Sequence, residues 1–290
     1  MYNQTFTSSM RRGYNRMPIA IRTIISITVA VFLVQEIGNL IGGQPVTNFI
    51  THWFAFYPSL FVTVTQPWRL VTYLFLHGGV LHILFNMLWL WWMGRAVEER
   101  LGPLTFCTIY FGSGIGGALL DILIAHFLGV IPVIGASGAV FGIMVAFAML
   151  YPRAPIMLFL LPPIEARYVV AGLIALQVLL LGGHSHVARA VHLGGAGVGY
   201  LMMKLYGAGY DLSSPMYWLQ GWWYRLKGAY EKRKSVSKKS NNMYSVSDVE
   251  IINEVEESEL DEILEKISEK GYDALTKQEK KKLFELSKEN

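Results

Sequence analysis

The sequence predicts an all-α, polytopic membrane protein, with a bundle of six transmembrane helices and a small cytoplasmic helical tail. Three observations lead there. Hydrophobic residues make up 53% of the 290 residues and charged residues only 16%, where an ordinary soluble domain carries about 25% charged. Six apolar runs of helical length follow one another along the first two thirds of the chain. The charge is also split: residues 1–209 hold 11 Lys+Arg and 5 Asp+Glu, whereas residues 210–290 hold 14 and 16. Together with a mean hydropathy of +0.37, this excludes a disordered, fibrous or plain soluble chain. The single cysteine, Cys107, excludes an intramolecular disulfide and a Cys-only zinc site. Eight Trp and fifteen Tyr suit belts at lipid–water interfaces.

Each element has its own signal. Residues 1–18 are polar and carry Arg11, Arg12 and Arg16. The first span runs from Ile19 to Ile41, broken only by Arg22 and Glu36. That satisfies the roughly 20 apolar residues a spanning helix needs. It is too long for a signal-peptide core and lacks a small-residue cleavage site, so it is expected to be retained. Gly42 to Phe75 is mixed and aromatic, with Pro58 and Pro67, and reads as an interfacial loop holding short amphipathic helices. The second span covers about His77 to Met93 and the third about Leu104 to His126. A Gly/Pro loop, Gly129 to Gly135, leads to a short fourth span, Ala136 to Tyr151. Pro152, Pro155, Pro162 and Pro163 mark a turn-rich connection. The fifth span covers about Ala166 to Leu181 and the sixth about Val187 to Tyr206, which completes a core over 19–209.

Six spans put both termini on one side, and the Lys/Arg distribution says which. Arg95, Arg100, Arg153 and Arg167 fall in loops on the side of the N-terminus, and the opposite loops hold only Arg69 and Arg189. Both termini are therefore expected in the cytoplasm, the core in the cell (inner) membrane, and the Gly42–Leu76 loop outside. In 210–257, Trp218, Trp222, Trp223 and Tyr224 precede Arg225, Lys227, Lys232, Arg233, Lys234, Lys238 and Lys239. That order suits an anionic lipid surface rather than nucleic acid. Ser235 to Val255 reads as a linker. In 258–290, Leu260, Ile263, Leu264 and Ile267 recur at helical spacing and Gly271 is a helix stop. Thr276 with Glu279 reads as a capping box for a second helix with Leu283, Phe284 and Leu286. The expectation is a solvated helical hairpin without catalytic groups, and a candidate contact for a cytoplasmic partner.

Polar side chains inside spans are costly, so each is a functional candidate. Ser137 stands in Gly135-Ala136-Ser137-Gly138 at the start of span four. Open backbone around a hydroxyl suits a nucleophile approached by a carbonyl, and the bland alternative is a helix N-cap. His192 opens span six, with Gly195 and Gly199 on its face. A small-residue face lets another helix approach closely. If that helix is span four, His192 reaches Ser137 as a general base. His77 precedes span two, and His82 and Asn86 share one face of it. Two donors there suit an oxyanion hole, the competitor being a metal site. The His/Asn set lacks a third strong ligand and there is no H-E-x-x-H, so no metal or cofactor is expected. Glu98, between Gly94 and Gly102, reads as tying helix ends and loops together. Glu36 and Asp121 are the residues an ion-transporter reading would use. No histidine–carboxylate pair suggests a triad, so a Ser–His dyad is the economical reading.

In combination these motifs resemble the rhomboid family of intramembrane serine proteases, over about Trp68 to Tyr206. Trp68-Arg69 resembles the WR pair of the family's first external loop. His77, His82 and Asn86 match HxxxxHxxxN, and Gly94, Glu98 and Gly102 match GxxxExxxG. Gly135 to Gly138 matches GxSG, and His192, Gly195 and Gly199 match HxxGxxxG. The resemblance implies Ser137 as nucleophile and His192 as general base. It implies an oxyanion hole of His82, Asn86 and the Ser137 backbone N–H, with His77 supporting beneath the loop. Phe141 takes the place of an aromatic packed on the catalytic imidazole, where many relatives have Tyr. Val191 replaces the usual Ala before the histidine and adds methyls at a helix contact. The implied activity is cofactor-free peptide hydrolysis in transmembrane segments of protein substrates. The alternative is a rhomboid-like pseudoprotease that binds or escorts membrane clients.

Overall fold

A computed structural model of the chain describes residues 13–128, 130–157, 162–180, 186–225, 227, 261–269 and 274–286. The chain divides into two units, Met1–Gly221 and Trp222–Asn290. The first unit is built from helices α1 (Ile19–Phe54), α2 (Leu60–Thr65), α3 (Arg69–Thr72), α4 (Val80–Leu101), α5 (Pro103–Leu128), α6 (Ser137–Leu150), α7 (Ala166–Leu179) and α8 (His186–Gly207). By length and composition, α1, α4 and α5 are long and apolar enough to cross a membrane, and α6 and α7 are shorter apolar helices. The outer face of α4 shows why a bilayer is the fitting solvent. Leu81, Leu84, Phe85 and Leu88 are all exposed along it, which in water would be a large unpartnered apolar patch.

Three features differ from the sequence-based expectation. Helix α4 runs on to Leu101 rather than ending near Met93, so Arg95 and Arg100 lie on the helix and not in a loop. The expected first span breaks at Gly43, whose backbone is left-handed at φ 59°, and a second helical stretch that was not expected follows it to Phe54. Only glycine adopts that conformation freely. Pro45 sits in the first turn after the break, where its missing N–H costs nothing. A polar, Gly/Pro-bearing stretch that reads as a loop is thus a sharp turn, after which the second helical stretch folds back along the first: Thr47 Oγ1 donates to Asn39 Oδ1 (2.8 Å), and Ile50 and Phe54 line one cavity with Ile27, Val31 and Val34. The Pro-rich connection after α6 contains a two-residue antiparallel ribbon, Pro155–Ile156 with Ile164–Glu165, too short for any alternation to announce it. The loop after α1 does hold the expected short helices, α2, α3 and the 3₁₀ turn Tyr73–Phe75.

The helix ends are closed by residues far away in sequence. The N-terminus of α1 has no side-chain cap of its own. The buried Glu98 carboxylate of α4 accepts hydrogen bonds from the N–H groups of Ala20 (2.8 Å) and Ile21 (2.9 Å). An anion on two orphan donors also suits the positive end of the helix dipole. At the other end of α1, buried Arg69 donates to the carbonyl of Ala55 (2.7 Å) and to that of His52. Its Nε donates to Gln66 Oε1 (2.6 Å), and Trp68 Nε1 donates to the Trp53 carbonyl (3.1 Å). The WR pair therefore fastens the loop onto α1.

The core sits where α5, α6 and α8 meet. Helix α6 is buried at nearly every position from Gly138 to Ala146, as a helix hydrophobic all round must be. Its contact with α8 is backbone on backbone. A Cβ on Gly195 would collide with the Gly138 carbonyl, and one on Gly199 would lie 2.6 Å from Gly142 Cα. Val191 is fully buried, and its Cγ1 would come within 2.8 Å of a Cβ on Gly138 and 3.0 Å of one on Gly117. Its larger side chain fits because both neighbours are glycines.

In the second unit, residues 261–269 form a helix and α9 (Lys277–Leu286) follows. Thr276 N–H donates to Glu279 Oε2 (2.6 Å) while Glu279 N–H donates to Thr276 Oγ1 (3.4 Å), a reciprocal capping box. Lys266 Nζ donates to Glu279 Oε1 (2.8 Å), joining the two helices. These bonds, Lys266 first, pull the Glu279 carboxyl down to about 2. Ile263 is buried, Ile267 is half-buried and Leu264 is exposed. Arg11, Arg12, Lys232 to Lys239, the linker 235–255, Leu260 and Gly271 lie outside the described residues.

Gly199→Val forces α6 and α8 apart against backbone, so overpacking of about 1–3 kcal/mol is expected. Its apparent Tm in detergent, read from tryptophan fluorescence, should fall by several degrees. A Tm equal to that of the parent would contradict the contact.

Candidate active site

Ser137 is the first residue of α6, and its position follows from the strand-like segment before it. Phe56 and Val133 exchange both backbone hydrogen bonds (3.0 and 2.8 Å), and Gly135 N–H donates to the Tyr73 carbonyl (2.9 Å). The loop after α1 therefore clamps the approach to Ser137. Gly135 has φ 122°, and a Cβ there would lie 2.8 Å from His82 Nε2. Glycine is required twice at that position, for conformation and for space. Its absent side chain is what lets the His82 ring close over the start of α6.

His192 stands one turn before Gly195 on α8, so the glycine contact presses it towards α6. Its Nε2 lies 2.6 Å from Ser137 Oγ, and its Nδ1 lies 3.0 Å from Gln177 Oε1 on α7. An amide oxygen can only accept, so Nδ1 carries the proton. Nε2 then holds a lone pair and accepts the Ser137 hydroxyl. Phe141, one turn along α6 from Ser137, stacks on the imidazole at 4.7 Å between centroids and 17° between planes. The ring is thus fixed by two hydrogen bonds at its edges and an aromatic on its face.

His82 and Asn86 lie on α4, across the cavity. Gly78 N–H donates to His82 Nδ1 (3.3 Å). In the neutral imidazole the proton is then on Nε2, the nitrogen beside Gly135, which is left as a donor. Asn86 Nδ2 spends one hydrogen on the His82 carbonyl (2.8 Å) and keeps a second. His77 is buried just before α4, its ring edge-on to that of His82 at 5.0 Å. The backbone N–H of His77 donates to Gln35 Oε1 (3.2 Å), which ties this corner to α1.

Ser137, His192, His82, Asn86 and Phe141 all line one cavity of about 400 Å³. Leu81, Phe85 and Trp89 of α4 and Leu173 of α7 form its walls. His77 borders this group through His82. Trp68, Arg69 and Glu98 lie outside it and act on the ends of α1, while Gly195 and Gly199 act on helix spacing. Among the described residues, no group of three His, Cys, Asp or Glu side chains is arranged to hold a metal ion. Sequence reasoning passed over Gln177 and Gln35. Each is an amide in an apolar run, without the histidine at helical spacing that singled out Asn86 beside His82.

Comparison with known proteins identifies the family of the segment that carries these residues. A family model described as the rhomboid domain matches residues 64–209, and one described only as a family of unknown function matches residues 253–289. The chain is 34% identical over 128 residues to the rhomboid protease GluP of Bacillus subtilis, covering 44% of this chain and 24% of that protein. It is 36% identical over 121 residues to the rhomboid protease GlpG of Klebsiella pneumoniae, 42% of this chain and 40% of that one. It is 34% identical over 146 residues to the mitochondrial rhomboid protein 1 of Saccharomyces cerevisiae, 48% of this chain and 41% of that one. The match spans less than half the length of each of these relatives. Because the rhomboid model takes in half of the chain, and includes every residue around the cavity, the chain belongs to the rhomboid family.

Proposed function

We propose that the protein is an intramembrane serine endopeptidase that uses Ser137 and His192 as its dyad. The observation that carries the reading is the 2.6 Å contact between Ser137 Oγ and His192 Nε2, at the wall of a cavity that also holds two donor side chains. Ser137 Oγ attacks the scissile carbonyl carbon as its proton passes to His192 Nε2. The oxyanion is held by the Ser137 backbone N–H, His82 Nε2–H and the free Asn86 hydrogen. His192 then gives the proton to the leaving amine. It takes another from the water that attacks the acyl-enzyme, and returns that one to Ser137 as the acid is released. No metal or cofactor enters this sequence. Phe141 confines the imidazole, and His77 supports His82.

The substrate class follows from the cavity walls. They are apolar and come from α4 and α7, which suits a transmembrane segment entering from the lipid side. A regular helix hides its peptide bonds in internal hydrogen bonds, so a stretch of small, helix-weak residues near the outer surface is the fitting target. Helix α6 has 14 residues, about 21 Å of length, which is shorter than the roughly 30 Å hydrocarbon core. Ser137 at its start then lies below the outer surface, with room for water above it. In this reading α1 and α4 to α8 are six spans in the cell membrane. Both termini are cytoplasmic, and the charged tail helices face any partner in the cytoplasm.

The test is a single-span reporter with a small-residue segment near its outer end, co-reconstituted with the enzyme in liposomes. The intact protein should cleave it, and Ser137→Ala or His192→Ala should abolish cleavage with Tm preserved. Cleavage by purified Ser137→Ala would overturn the mechanism, and an uncleaved reporter that stays bound to the intact protein would turn the reading to client binding. Asn86→Ala should cut the rate by about 10- to 1,000-fold, as for a lost oxyanion donor. An unchanged Asn86→Ala rate would remove that residue from the hole.

A further inference from the structure

The dyad reading leaves one question open: what holds His192 in the tautomer and orientation that make Nε2 a base? In hydrolases with a triad, a buried carboxylate on Nδ1 does this. Among the described residues no carboxylate acts on His192, and the charged or titratable groups that do are His82 across the cavity and Arg189 on its own helix. The group in hydrogen-bond contact with Nδ1 is the amide of Gln177, at 3.0 Å. It comes from α7, a third helix, fifteen residues earlier in the chain. It is half-buried in a helix that is otherwise apolar from Val169 onward, where an amide without a partner would be costly.

We propose that Gln177 is a positioning residue for His192, the neutral third member of a Ser137–His192–Gln177 relay; this rests on the dyad reading above. Its Oε1 accepts Nδ1–H and thereby favours the tautomer with a lone pair on Nε2; in the other tautomer Nε2–H would donate to Ser137 Oγ and could not take its proton. Phe141 fixes the plane of the ring, and Gln177 fixes its rotation within that plane. The choice of an amide over a carboxylate has a physical reason. An ionised carboxylate half-buried among apolar side chains is expensive, whereas an amide orients the ring without carrying charge. Orientation is gained, and the extra stabilisation of an imidazolium by a full negative charge is not.

The arrangement has a second consequence. Leu173 lies one turn before Gln177 on α7 and lines the cavity from that side. The helix that walls the cavity therefore also aims the base, so displacement of α7 by an entering segment acts on His192 directly.

The experiment compares Gln177→Met, of similar length but without an acceptor oxygen, with Gln177→Glu, which keeps one. The readout is the rate of covalent labelling by a fluorescent fluorophosphonate, resolved into the maximal rate and the half-saturating probe concentration. Gln177→Met should slow the maximal rate by about 10- to 100-fold, less than the roughly 10⁴-fold for a lost charged partner. The half-saturating concentration should stay within about two-fold, since the probe does not touch Gln177. Gln177→Glu should recover most of the rate. Should Gln177→Met lower Tm, Gln177→Ala serves the same comparison. A Gln177→Met protein that labels like the parent, or Gln177→Met and Gln177→Glu equally slow, would overturn the proposal. Failure of the dyad reading is distinct: there Ser137→Ala would label as fast as the parent.

Discussion

The structure depends on one contact, the meeting of α6 and α8 across Gly138, Gly142, Gly195 and Gly199. In lipid no hydrophobic drive favours one helix pairing over another, so close packing has to select it. Four missing side chains allow two backbones to touch. Ser137 opens one of these helices and His192 stands one turn before the contact on the other, so the spacing of the helices sets the spacing of the two side chains. Even Val191, the bulkier residue next to His192, is received by glycines on two neighbouring helices.

A second constraint follows from the solvent. Polar groups that water would satisfy must find partners within the chain, and four of those partners are distant in sequence. Glu98 closes the first turn of α1 from α4. Arg69 closes the last turn from the loop. Gln35 receives the His77 N–H, and Gln177 receives His192. These bonds fasten the loop after α1 and the start of α4 around the cavity, and so hold the His82 donor against Gly135. In the proposed reading, the same economy that satisfies buried groups also preorganises the site.

Much of this was legible in the sequence. The apolar runs located α5 to α8 within about two residues at each end, because length and composition alone define a spanning helix, whereas α4 runs on past the expected Met93 to Leu101, where charged residues end the apolar run but not the helix. The spacing of His192 to Gly195 and Gly199, and of His82 to Asn86, put each set on one helix face before any coordinates. What stayed hidden has physical reasons. The second helical stretch of α1, to Phe54, was masked because Gly43 and Pro45, ordinarily loop signals, here make a turn between two helical stretches. The ribbon at Pro155–Ile156 has two residues per strand and so no period to read. Gln177 was invisible because its meaning lies in a cross-helix partner, and nothing local to α7 reports which way that helix turns.

The account stands or falls on Ser137 being an activated nucleophile held by His192. The most direct measurement is mass spectrometry of the intact protein after reaction with a fluorophosphonate in mild detergent, with peptide mapping of the adduct. The account predicts one adduct, on Ser137, and none when His192 is replaced by alanine in a protein that still melts cooperatively. An adduct on another residue, or on Ser137 at full rate without His192, would contradict it.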